Sequence, residues 1–165
     1  MDADVFDALM ASVDPAMVVV TTAFEGERSG CLVGFAGQSS IEPRHYAVWA
    51  SKVNHTYRVA LQATHLAVHF LADTDADHEL ARIFGELTGD TADKFALVPT
   101  SAGPGGVPVI ESCEHGLVGV KVSMADDGGD HVSMVLEPIE VWSSGPFTPL
   151  RMSAVSDIHP AHPAD

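Results

Sequence analysis

Residues 38–56 concentrate side chains that can hold an anion or a polar ring. Gln38, Ser39, Ser40 and Ser51 bring an amide and hydroxyls, Lys52 brings a full positive charge, and Asn54, His55 and Thr56 make a polar helix start. Asn54 reads as the N-cap of a helix over 55–62, because its side chain can accept from the unpaired N–H groups of the first turn. A helix N-terminus carries free N–H groups and positive partial charge, which suits a phosphate. Lys52 stands just before it in a chain with only 8 lysines and arginines. The plainer reading of the same residues is a capped helix with surface hydroxyls beside it.

The chain has nine histidines. His131 follows Gly128, Gly129 and Asp130 and opens a β segment, a position that can aim a side chain into a cleft. His65 and His69 share one face of a predicted strand and read as structural. His159 and His162 lie in a Pro-rich tail, where no Cys or carboxylate spacing completes a ligand set, so no metal site is expected. There is no GxGxxG after a strand, no GxxxxGK[ST], no GxSxG and no HExxH. Residues 101–106 are Gly-rich, but no helix pattern follows them, which argues against a phosphate cradle. Acids are so many that pairs of carboxylates carry little meaning.

The elements that must position these residues are short. Phe6, Leu9, Met10 and Val13 make the apolar stripe of a helix over 3–13, and Asp14-Pro15 ends it. Apolar, β-branched runs predict strands at 17–24, 31–36, 46–51, 65–71, 116–124 and 131–142. Leu80, Ile83, Phe84 and Leu87 predict a second amphipathic helix over 75–86. Gly89 and the Asp-rich run to Lys94 close that region. Residues 38–44 read as irregular, with Pro43 as a breaker, and 101–108 as a loop. The turn 125–130 joins the last two strands. Short turns link most strands, so the expected fold is mainly β: an antiparallel barrel with small helices outside. The domain is expected over 1–142. The tail over 143–165, with its prolines and histidines, is expected on the surface or against a partner subunit.

The totals agree with one globular domain: 165 residues, 46% hydrophobic and 19% charged. The net charge of −15 opposes phosphate backbones and anionic lipid, so neither nucleic acid nor a membrane is expected as a partner. Cys31 and Cys113 lack CxxC spacing and read as small buried hydrophobes. No signal-peptide pattern opens the chain, and no apolar run approaches the ~20 residues of a membrane span. A cytoplasmic location is expected.

Several segments together resemble the flavin reductase family, whose fold is the FMN-binding split barrel. They are Val18-Val-Val-Thr-Thr22, Gly30-Cys-Leu-Val33, Gln38-Ser-Ser-Ile-Glu-Pro43, Ser51-Lys-Val-Asn-His-Thr56, Leu66-Ala-Val-His-Phe-Leu71, Asp93-Lys-Phe95 and Gly129-Asp-His131. The likeness spans about residues 14–142 and rests on their order and spacing. It implies a homodimer with flavin in a groove at the interface. It places Gln38, Ser39 and Ser40 along the isoalloxazine and ribityl chain, with Phe35 and Ala36 also among the cofactor-binding positions. By the same resemblance Ser51, Lys52, Asn54, His55 and Thr56 hold the phosphate, Phe95 lies near the ring, and His131 is the catalytic position beside flavin and nicotinamide. The implied reaction is hydride transfer from NADH or NADPH to FMN or FAD, with reduced flavin passed to a partner monooxygenase. Gln38 stands where the family often has Ser, Arg44 where it has a second Pro, and Gly34 and Phe35 where it has small hydroxyl residues. These departures bear on the choice among FMN, FAD and the deazaflavin F420. A non-catalytic flavin-binding module and an F420-dependent reductase are the alternatives on the same fold.

Overall fold

A run such as Val18-Val-Val-Thr-Thr22 buries alternate side chains on two sides, and that decides the architecture. In the computed structural model, which describes residues 1–87 and 93–158, Val18 and Val20 enter one core while Met17 and Val19 enter another. The strands are β1 (Val18–Phe24), β2 (Glu27–Val33), β3 (Ala36–Ser40), β4 (His45–Ser51), β5 (His65–Phe70), β6 (Thr100–Ala102), β7 (Pro108–Ile110), β8 (His115–Ala125) and β9 (His131–Ser143). The helices are α1 (Ala3–Val13), α2 (His55–Gln62) and α3 (Asp75–Glu86). Seven strands form one antiparallel sheet in the order β2-β1-β5-β8-β9-β4-β3, and β6 and β7 pair as a separate hairpin.

The first core gathers Val20, Cys31, Val48, Leu66, Val68, Met134 and Leu136 from both halves of the sheet. The sheet therefore curls around a shared interior, and α2 contributes Ala60 to it. The second core lies on the other side of β1, where α3 supplies Leu80, Ala81 and Phe84. Gly30 lets β2 approach it: a Cβ there would stand 2.8 Å from the Phe84 ring. Lys94 is 5% exposed and, among the described residues, reaches no carboxylate; its ammonium donates to Gly30 O at 2.7 Å and Phe84 O at 3.2 Å. Burial holds its pKa below the usual lysine range. His69 is fully buried, with Nδ1 3.1 Å from Val19 O and Nε2 accepting from Ile110 N–H at 3.0 Å. That is the structural role expected of it. Cys31 and Cys113 are buried free thiols, also as expected.

Four features differ from the expectations. The strand expected over 31–36 is divided between β2 and β3 at Gly34 and Phe35, and residues 38–40, expected to be irregular, belong to β3. Their small polar side chains carry little strand propensity, and the backbone pairing Ala36↔Val48, Gly37↔Ala47 and Gln38↔Tyr46 supplies the order instead. The expected loop over 101–108 contains the β6–β7 hairpin, turned by Gly105 and Gly106 at φ +68° and +76°. The expected surface tail enters the second core: Leu150 is fully buried, Val155 is 5% exposed, and bridges join Ala16 to Arg151 and Ala72 to Pro149. His159, His162 and Gly89 lie outside the described residues. Finally, α1 forms where its stripe predicts, but the stripe stays open: Phe6, Leu9, Met10 and Val13 are 42–63% exposed. Its end is fastened by Asp14, whose carboxylate accepts from Ser153 N and Oγ at 2.8 and 2.6 Å. Among the described residues, no helix is long and apolar enough to cross a membrane.

Candidate functional site

The antiparallel pairing of β4 with β9 sets Ser51 opposite His131. One residue on, Lys52 N–H donates to Asp130 O at 2.9 Å and locks the two strand ends together. The Lys52 ammonium turns to the β8–β9 turn, where Asp126 Oδ1 lies 2.9 Å away. Asp126 also accepts from Gly128 N–H at 2.9 Å. The bond from Lys52 holds the Asp126 carboxyl below its ordinary range and raises the Lys52 ammonium above its own.

His131 Nδ1 is 2.6 Å from Asp130 Oδ1. A carboxylate only accepts, so Nδ1 carries a proton and donates it, and Nε2 is the ring nitrogen that Asp130 does not engage. That bond holds the Asp130 carboxyl below the usual range. The His131 ring stands 4.9 Å from the Phe35 ring at a 58° tilt. Phe35 is fixed through its carbonyl, which accepts from Trp49 N–H at 2.9 Å, while its side chain stays 52% exposed. The fold thus brings Phe35, the adjacent Ser51 and Lys52, and His131 from three separate places in the sequence to one region.

The start of α2 adjoins it. Asn54 Oδ1 accepts from Thr56 N–H at 2.9 Å, the capping bond its position predicts. The Thr56 hydroxyl, however, points inward. Thr56 is 2% exposed, and its Oγ1 lies 2.9 Å from Ser29 Oγ on β2. His55 Nε2 is 2.8 Å from Glu27 Oε1, and its Nδ1 is 3.0 Å from Arg58 Nη2.

The remaining expected residues run away from this region along β3 or pack in the second core. Gln38 pairs with Tyr46, five positions before Ser51 on β4, so Gln38, Ser39 and Ser40 lie about 17 Å or more along the strand from Ser51. Gln38 and Ser39 are exposed, and Gln38 Nε2 donates to Ser40 O at 3.1 Å. Ala36 packs against the first core. Phe95 sits in a 3-10 turn, its ring 5.8 Å from that of Phe84 and 4.9 Å beneath the Arg28 guanidinium. It belongs to the second core rather than to the Phe35–His131 pair.

The partners that sequence reasoning missed are Glu27, Ser29, Asp126 and Asp130. The Asp-rich run 126–130 carried a signal, since it adjoins His131, but composition alone reads it as a turn. Nothing local marks Ser29, whose contact with Thr56 is made across the fold.

The arrangement supplies donors, one ammonium, an open aromatic face and a histidine with a fixed proton. It can bind and orient a flat polar ring. Among the described residues, no nucleophile is held against a base there as a covalent catalyst requires.

Comparison with known proteins gives these residues a context. No curated protein sequence matches the chain. Solved structures do. A flavin reductase domain protein from Arthrobacter sp. FB24 superposes with a TM-score of 0.81 at 19% identity, over 99% of this chain and 98% of that one. Flavin reductase HpaC, solved with NADP+, gives 0.80 at 22%, over 94% and 96%. A homolog of nitrilotriacetate monooxygenase component B from Mycobacterium thermoresistibile gives 0.77 at 19%, over 91% and 80%. Against one longer oxidoreductase the chain spans 51% of that protein's length. At these identities the structures show a common fold. Residues 10–152 match the family described as flavin reductase like domain, which is most of the sequence, and the chain therefore belongs to that family.

Proposed function

We propose that this protein is a flavin reductase that transfers a hydride from NADH or NADPH to FMN or FAD and hands reduced flavin to a monooxygenase component. The observation that carries the reading is the Phe35–His131 pair beside Lys52 and the α2 start, within a chain of this family. Bound flavin supplies the hydride-accepting chemistry, and the protein supplies binding, orientation and electrostatics. Phe35 offers an exposed aromatic face, and Gln38, Ser39 and Ser40 offer donors along β3 for the polar edge of the ring that points away from α2. Asp130 fixes the proton of His131 on Nδ1, so Nε2 is the atom that meets the nicotinamide or the flavin edge. Ser51, Lys52, Asn54 and His55 sit where the far end of the ligand falls. The buried Thr56 hydroxyl supports that end from behind, through Ser29.

The same reading includes closure of the curled sheet as a split barrel and assembly as a homodimer. The uncovered stripe of α1 supports the dimer. An eleven-residue helix is marginal in water without packing, and this one buries no residue within its own chain. A monooxygenase partner draws support from HpaC and the component B homolog, which share the fold. Two free cysteines favour a reducing compartment such as the cytoplasm.

The test is nicotinamide oxidation by the purified protein with FMN, FAD or F420 added, and without. Flavin-dependent oxidation is expected, and His131→Ala is expected to lower turnover at least tenfold while changing flavin affinity by less than about threefold. Flavin binding without oxidation would make the protein a binding module. Preference for F420 would make it a deazaflavin enzyme.

A further inference from the structure

β9 has 13 residues and β4 only 7. β4 covers β9 from His131 to Leu136, so residues 137–143 overhang it. β8 holds the overhang on its other side, from Val120↔Glu137 to His115↔Ser143. Among the described residues, no strand pairs with the remaining edge of 137–143. Its backbone groups that face away from β8 are thus left for another strand to meet. The overhang is well anchored. Trp142 Nε1–H donates to Cys113 O at 3.1 Å, Ser143 Oγ lies 2.9 Å from His115 Nδ1, and Ser144 N–H donates to Glu114 O at 3.2 Å. An edge fixed in this way needs little ordering to accept a strand.

Its two faces differ in chemistry. Residues paired across neighbouring strands share a face. Glu137 and Glu140 pair with Val120 and Val118, two positions apart on β8, so the bulge at Ile139 keeps both carboxylates on one face. Val141 pairs with Leu117 and lies on the other face. Leu117 is buried in the first core, yet Val141 is 69% exposed and Ile139 52%. Residues 122–150 contain no lysine or arginine. Lys121, on β8, turns its ammonium to Ala60 O and Leu61 O at the end of α2, at 2.6 and 3.1 Å.

The same residues guard the edge against a second copy of the chain. Pro138 withholds one N–H. An antiparallel pair centred on Glu140 sets that carboxylate against its own copy, and a shifted one sets it against Glu137. Like charges directly opposite are destabilising. A segment that brings cations meets the opposite condition.

We propose that residues 137–143 are a docking edge for an extended segment of a partner protein, one that alternates lysine or arginine with apolar side chains. Added as a strand beside β9, this segment sets its cations by Glu137 and Glu140 and its apolar residues by Val141. Main-chain hydrogen bonds hold it, and the alternation selects it. The edge acts independently of the ligand held at the Phe35–His131 pair.

The probes are three capped, dye-labelled peptides long enough to span the edge. They alternate lysine with valine, lysine with glycine, and glutamate with valine. Each is titrated into the full chain by fluorescence polarisation. The lysine–valine peptide is expected to bind about tenfold or more tighter than either of the others, and to slow amide hydrogen exchange within 137–143. Glu140→Lys and Val141→Lys are each expected to weaken it about fivefold or more. Both side chains lie at the surface, so the variants keep the fold. Equal binding of the two lysine peptides would reduce the effect to general attraction by a chain of net charge −15, and overturns the inference. Unchanged affinity in Val141→Lys, or slowed exchange elsewhere but not at 137–143, overturns it as well. So does a dimer in sedimentation that Val141→Lys splits, which would give the edge to a second copy.

Discussion

His69 and Lys94 lie inside the domain at 0% and 5% exposure, whereas Lys52 and His131 keep 34% and 28% of their side chains exposed at the strand ends. The interior pair is held by backbone: Val19 O and Ile110 N for the imidazole, Gly30 O and Phe84 O for the ammonium. The surface pair is held by carboxylates, Asp126 and Asp130. Partners from the backbone cannot leave without opening the fold. A carboxylate on a solvated turn can rotate away, and an exposed ion pair contributes little to stability. Polar groups of one chemical type thus act as fixed pins in one region and as exchangeable contacts in the other.

The contrast breaks most visibly at Lys94. Lys94→Ala leaves two buried carbonyls without a donor and a void beside Phe84, so a loss of about 3 kcal/mol is expected in urea unfolding. A loss near zero would mean that water replaces the ammonium, and that this residue is no pin. His69 gives the next effect, through pH. Burial lowers its folded-state pKa to about 4, against 6.5 for the ordinary side chain. Below about pH 6.5 the unfolded chain takes up a proton that the folded one refuses. Its contribution is therefore complete above that pH and is lost on acidification, by up to about 3 kcal/mol at pH 4. Unfolding free energies measured between pH 7 and 5 should fall less steeply in His69→Gln than in the parent; identical slopes would assign the loss to other groups. Asn54→Ala removes the α2 cap and should cost about 1 kcal/mol. Lys52→Gln, the smallest, should leave the unfolding midpoint in place. A clear shift there would erase the distinction between the two regions.

The residues that announced themselves in the sequence were those whose own neighbours explain them. The stripe Leu80, Ile83, Phe84 and the cap Asn54 produced α3 and α2 at the expected positions. The β-branched run at 18–22 produced β1. β3 stayed hidden because Gly37, Gln38, Ser39 and Ser40 have no strand pattern of their own and take their order from β4. The buried ends of Ser29 and Lys94 stayed hidden because their partners are remote in sequence, Thr56 for one and Gly30 for the other. The site divides the same way. Lys52, His131 and Phe35 were named from type and resemblance. That Asp126 and Asp130 hold two of them follows from strand register, which spacing does not disclose. Phe95 was placed near the ring by resemblance alone, and its packing on Phe84 and Arg28 belongs to the second core.

Leu150 carries a consequence for the making of the protein. Its carbonyl accepts from Met17 N–H at 2.8 Å, and its own N–H donates to Leu71 O at 2.9 Å. The backbone at Met17 is thus sewn to that at Leu71 by a residue translated long after both. While the chain is still on the ribosome, β1 and β5 can pair, but the second core lacks its lid until residues 150–155 have left the exit tunnel. Over that interval Met17, Leu71 and Phe84 face solvent or a chaperone. A stop codon shortly before position 149 would make that interval permanent.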